Sequence, residues 1–152
     1  MAEIATEHAF TLTAAVATPR IIGNTFGPTR MVVDVTGGSV AGPLFNGKVL
    51  PGGGDWIQIR PDGTFELDVR ITLEARDGAL VYMTYRGFRH GPKDVIDRLA
   101  AGERVDPSQY YFRAAPFFET GDERYTWMTK SVFVATGERR PDGPVYEVFR
   151  VL

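Results

Sequence analysis

The chain has 152 residues, 43% of them hydrophobic and 24% charged, a balance that suits one globular domain spanning residues 1–152. A net charge of −2 supplies no basic field for nucleic acid or an anionic membrane, and the absence of cysteine excludes disulfides, thiolate nucleophiles, zinc ribbons and iron–sulfur clusters. Glu3 and Glu7 stand where a secretory signal carries positive charge, and the nearby apolar runs are too short for a secretory core, so a cytoplasmic protein is expected.

Taken in chain order, the sequence is a series of short runs with strand chemistry, separated by Gly- and Pro-containing turns. The predicted strands are 10–16, 31–35, 38–45, 56–60, 64–74, 80–85, 111–114, 127–136 and 145–151. The Asp-Gly pairs at 62–63, 77–78 and 142–143 are the strongest hairpin signals, because both residues tolerate the positive φ of tight turns. About eight or nine closely spaced strands predict an all-β antiparallel barrel or sandwich. One segment departs from this pattern. Pro92 suits a first helical turn, Asp94 the positive end of a helix dipole, Val95, Ile96 and Leu99 recur at helical spacing, and Gly102 suits a C-terminal cap. A short helix over 92–101 is predicted to close one end of the barrel.

In the run 64–74, Phe65, Leu67, Val69, Ile71 and Leu73 share one face, and Glu66, Asp68, Arg70 and Thr72 share the other. Asp68 and Arg70 stand roughly 6.5–7 Å apart along the strand, a spacing that fits either a solvated surface pair or a lumenal acid and its guanidinium. Neighbouring runs carry aromatics on their more polar faces. Trp56 stands with Gln58 and Arg60, Tyr82 with Thr84 and Arg86, and Trp127 with Thr129 and Ser131. Large rings mixed with a few polar groups suit the lining of a small-molecule cavity, so these faces, Asp68 and Arg70 included, are expected to look inward. The Pro-Gly-Gly-Gly-Asp-Trp stretch at 51–56 is followed by no helix and no Gly-Lys-Ser/Thr, which rejects a phosphate-binding loop. It is expected to be a bulged or long hairpin that sets Asp55 and Trp56 at the barrel mouth.

The stretches 36–56, 62–87 and 106–128 resemble signature blocks of the DUF3237 family, also called UPF0311. The resemblance extends from about Phe10 to Val151 and implies a calycin-like, lipocalin-like antiparallel barrel with one short helix; it implies little about activity, since the family is named for having no assigned function. The chain departs from the usual pattern at Trp127-Met128-Thr129, where an asparagine customarily follows the Trp-Leu pair.

The remaining candidates come from the residues themselves. Arg113, among Tyr110, Tyr111 and Phe112, is either an anion clamp or a structural partner of Glu119, and Glu119 is a general base, that partner, or a helical or loop cap. His8 falls in an expected frayed terminus and His90 in a loop; with no third ligand at fixed spacing, no metal site is expected. No serine lies in a nucleophile elbow. The leading expectation is a small-molecule-binding barrel doing cofactor-independent acid–base chemistry (proton transfer, cyclisation or elimination) on a small anionic or carbonyl compound. Asp55, Asp68 or Glu119 would move the proton, Arg70 and Arg113 would hold an anionic oxygen, and Trp56, Tyr82 and Trp127 would wall the ligand. The alternatives are a non-catalytic carrier and an oligomeric interaction module. The expected partners are a small-molecule ligand and a second copy in a homodimer, with no nucleic acid and no membrane.

Overall fold

The computed structural model describes residues 2–152. Ten strands run β1 (Thr6–Val16), β2 (Arg20–Gly23), β3 (Thr29–Ala41), β4 (Gly47–Val49), β5 (Gly53–Ile59), β6 (Phe65–Ala75), β7 (Leu80–His90), β8 (Tyr111–Glu119), β9 (Phe133–Arg140) and β10 (Gly143–Val151). One helix, α1 (Lys93–Ala100), links β7 to β8. The antiparallel order β1-β10-β9-β8-β7-β6-β4-β3 closes on itself where β1 pairs with β3, so the expected barrel is present. β5 pairs with the same two neighbours as β4, β3 and β6, and extends the same stave; β2 likewise continues the line of β1 along the same edge of β3, and its Ile21 reaches the lumen.

All three Asp-Gly pairs sit in hairpins, joining β5 to β6, β6 to β7 and β9 to β10, with positive φ at Gly63, Gly78 and Gly143. Other glycines behave differently from the turn reading. Thr36-Gly37-Gly38 lies inside one long strand, which merges the predicted strands 31–35 and 38–45. At Gly38 (φ +147°) a Cβ would overlap the Thr13 carbonyl oxygen of β1, so the residue permits close strand approach, not reversal. The 51–56 stretch is no hairpin either. Leu50–Gly52 bulges out between β4 and β5, and Leu50 N–H still donates to the Thr72 carbonyl at 2.9 Å. The predicted strand 127–136 is also corrected. Glu123–Lys130 is a 3-10 segment, capped by the Asp122 carboxylate accepting from Arg124 N–H and held by Ser131 Oγ donating to the Trp127 carbonyl.

The lumen divides into two halves. At one end Phe10, Phe45, Phe118 and Phe133 pack ring on ring at centroid distances of 4.8–6.0 Å, with Tyr125 and Met128 of the 3-10 segment closing over them. Tyr125 Oη donates to Asp77 Oδ2 at 2.6 Å, fastening that segment to the β6–β7 hairpin. At the other end α1 lies across the mouth as expected, burying Val95 and Leu99 and presenting Ile96, Leu99 and Ala100 to the interior.

Strand β7 carries side chains into the open half from both sides of Gly87. A Cβ at Gly87 would overlap the Arg113 carbonyl oxygen of β8 and press on Ala114. Gly87→Ala is therefore expected to lower stability by about 2 kcal/mol, read as several degrees of thermal unfolding midpoint. Gly121→Ala, where a Cβ meets nothing, should leave the midpoint unchanged.

Candidate functional site

The open half of the barrel holds a cavity of about 460 Å³. Its walls are largely aliphatic, from Ala14 and Val16 of β1, Val33 and Val35 of β3, Ile57 of β5, and Leu67 and Val69 of β6. Asp55, Tyr85, Arg89, Arg139 and Tyr146 also line it. This mixture of apolar walls and a few converging polar groups is typical of small-molecule sites.

Asp55 reaches the lumen because it is in phase with Ile57 on β5, and its registered partners Val33 and Val69 are inward residues. Its carboxyl is built into the sheet. The β5–β6 register is continuous at Gly54–Arg70 and Asp55–Val69 and resumes at Gln58–Glu66, leaving a gap opposite Trp56 and Ile57. In that gap Asp68 N–H donates to Asp55 Oδ1 at 3.0 Å, and the Trp56 carbonyl accepts from Arg30 Nη1 at 2.8 Å. Burial raises the Asp55 pKa to about 7, opposed by the Asp68 N–H and helped by repulsion from the Asp68 carboxylate; attraction from Arg89 opposes it more weakly.

Tyr85 and Tyr146 stand edge to face at 5.0 Å, and Phe112 stands edge to face against Tyr146 at 5.2 Å. Burial pushes both phenols upward, Tyr85 well above its usual value, and the Asp55 carboxylate adds to the shift in each. Both are neutral hydroxyls at ordinary pH. Arg89 is only 9% exposed. Its Cζ sits 4.2 Å from the Phe65 ring centroid and 6.0 Å from that of Phe112, and burial lowers its pKa to about 10, which leaves it charged. Arg139 is placed by its backbone N–H, which donates to Tyr110 Oη at 2.9 Å. Among the described residues no three His, Asp or Glu side chains gather in a metal-holding group.

Of the expected site residues, Asp55 alone lines this cavity. Asp68 and Arg70 lie on the outer face of β6, opposite in parity to the buried Leu67, Val69, Ile71 and Leu73. Burying those four aliphatic side chains is worth roughly 1.5–3 kcal/mol each, more than any gain from turning the charged face inward, so aliphatic phase overrides the aromatic cue. Trp56 and Tyr82 are outward with it, 39% and 37% exposed, and the Arg70 guanidinium covers the Trp56 ring at 5.6 Å. Arg113 is on the outside of β8, donating to the Phe112 carbonyl and lying over Tyr111; Glu119 is exposed at the end of the same strand. Trp127 belongs to the closed end, beside Phe133 and under Arg150. His90 stacks on Tyr111 outside the barrel, and His8 is no frayed residue but bonds Glu147 through Nε2 at 2.7 Å.

A family model described as a protein of unknown function, DUF3237, matches residues 4–151. The chain belongs to that family. The UPF0311 protein blr7842 of Bradyrhizobium diazoefficiens is 40% identical over 97% of this chain and 96% of the relative. The crystal structure of RPA1785 from Rhodopseudomonas palustris, a conserved protein of unknown function, superposes with a TM-score of 0.97 at 37% identity, covering 100% of both chains. An enzyme from Penicillium herquei shares the fold at a TM-score of 0.76 and 20% identity, covering 100% of this chain and 97% of that one.

The raised Asp55 pKa has a consequence for stability in this DUF3237 barrel. The folded state keeps the Asp55 proton up to about pH 7, whereas an unfolded aspartate releases it near its ordinary value of 3.8. Between those values the folded state binds more protons, so this group's contribution to stability falls as pH rises and levels off above about 7. Asp55→Asn retains an acceptor for Asp68 N–H and carries no charge. It is expected to raise the unfolding midpoint by several degrees at pH 8 and by clearly less at pH 5. An equal change at both values would contradict the shifted carboxyl.

Proposed function

We propose that the lumen binds a small, mostly apolar molecule and that Asp55 moves a proton on it. The observation that carries this reading is a carboxyl with proton affinity near neutrality, facing an apolar cavity beside two neutral phenols and a guanidinium. Near pH 7 Asp55 is divided between its acid and base forms, the condition under which one group can both take and return a proton efficiently. As the base it removes a proton from carbon next to a carbonyl, leaving an enolate. The Tyr85 and Tyr146 hydroxyls and the Arg89 guanidinium supply donors and positive charge for the developing oxygen anion. As the acid it returns the proton to the same carbon or to a conjugated one. The chemistry needs only groups the chain supplies. The same barrel in the Penicillium herquei enzyme indicates that the architecture is compatible with catalysis, at the level of fold alone.

The test is hydrogen–deuterium exchange at the α-carbons of β-tetralone and phenylacetone in D₂O, followed by proton NMR. The wild type is expected to accelerate exchange with a dependence on a group titrating near 7, and Asp55→Asn to slow it by about a hundredfold. Exchange at the buffer rate for both ketones would leave a non-catalytic carrier as the better description.

A further inference from the structure

Arg89 is a buried cation without a counterion in the protein. Among the described residues no carboxylate stands within ion-pairing distance of it, and its guanidinium donates to no side chain or carbonyl, although it is 9% exposed and lines the cavity. The Phe65 and Phe112 rings hold the group in place and offer no acceptor for its N–H fork. Arg139 stands nearby, half-buried. It is a second lumenal guanidinium whose one hydrogen bond, from Nη1, goes to the Arg140 carbonyl at 2.9 Å, and its charge acts against that of Arg89. The acids near the mouth are committed elsewhere. Glu103 pairs with Arg98 at 3.4 Å, and Glu138 pairs with Arg104 and Arg140. Asp55 faces the same space but reaches no guanidinium. A buried guanidinium with its donors unspent, and a second, half-buried one beside it, are stabilised by a bound anion.

We propose that the lumen selects an organic carboxylate, with its charged head on Arg89 and Arg139 and a hydrocarbon body against the aliphatic wall. The planar guanidinium fork matches a carboxylate in two parallel hydrogen bonds, and Val33, Val35, Ile57, Leu67 and Val69 fit an uncharged, unbranched or flat body better than a polar one. Arg89 is thus a specificity-determining residue. The inference rests on the lumen being the ligand site, and it stands apart from whether Asp55 transfers a proton.

Calorimetric titration of the full chain with hydrocinnamate, hydrocinnamamide and phenylpropylammonium tests it, with naphthylacetate and its amide as a wider pair. Each carboxylate should bind about tenfold to a hundredfold tighter than its amide, and the ammonium weakest of all. Arg89→Gln should remove that preference, with an unchanged near-ultraviolet circular dichroism spectrum reporting an intact fold; Arg139→Gln should reduce it. Carboxylates that bind no tighter than their amides to the wild type overturn the proposal, and so does an Arg89→Gln protein that keeps the preference. If Arg89→Gln does not fold, the wild-type ranking and Arg139→Gln decide. Carboxylate selectivity without ketone exchange would remove the proton-transfer reading and keep this one; ketone exchange without carboxylate selectivity would do the reverse.

Discussion

The gap in the β5–β6 ladder is the constraint on which the candidate site depends. A backbone N–H cannot be buried without an acceptor, and at Asp68 that acceptor is the Asp55 carboxyl instead of the facing strand. The Trp56 carbonyl on the other side of the gap is satisfied by Arg30 from outside the barrel. One end of Asp55 is thereby tied into the wall while the carboxyl as a whole remains in an apolar lumen. A single N–H is too little to hold the charge comfortably, and the distance to Arg89 keeps the obvious cation from doing so. Desolvation then dominates and the proton stays on until about pH 7.

The division of the barrel follows from the same economy of side chains. The closed half is filled by phenylalanines and methionines that need no partners. The open half collects groups that do need partners, two phenols, guanidinium groups and a carboxyl with α1 across the mouth, and leaves the Arg89 guanidinium without one. Pairing Asp55 directly with Arg89 would be the more stable arrangement for an inert protein, because uncompensated buried charges are costly. Their separation within one cavity is the arrangement on which the proposed function rests.

Much of the fold was legible. Each Asp-Gly pair makes its hairpin because the residue chemistry and the required φ agree, and Pro92, Asp94 and Gly102 bound the helix for equally local reasons. Glycine was harder to read: Gly38 and Gly87 lie inside strands, where their missing Cβ serves contact with a neighbouring backbone that only the closed barrel supplies. The site was half legible. Asp55 is in phase with Ile57 and Ile59, and Val81, Met83 and Tyr85 continue in phase through Gly87 to Arg89, so the aliphatic parity of two strands points to Asp55, Tyr85 and Arg89 in the lining. Trp56 and Tyr82 obscured this, because exposed aromatics on a polar face look like a cavity lining in one dimension. Arg139 and Tyr146 carried no such signal; they meet the others only because β9 and β10 close the ring.

Direct titration of the Asp55 carboxyl is the most decisive measurement. With the side-chain carboxyl carbon of aspartate labelled and the resonance assigned by its loss in Asp55→Asn, carbon NMR across the acid and neutral range would follow this one group. The account predicts a midpoint of about 7 for Asp55. A midpoint near the ordinary aspartate value of 3.8 would mean that the lumen solvates the carboxylate well, and would contradict an acid–base role built on burial.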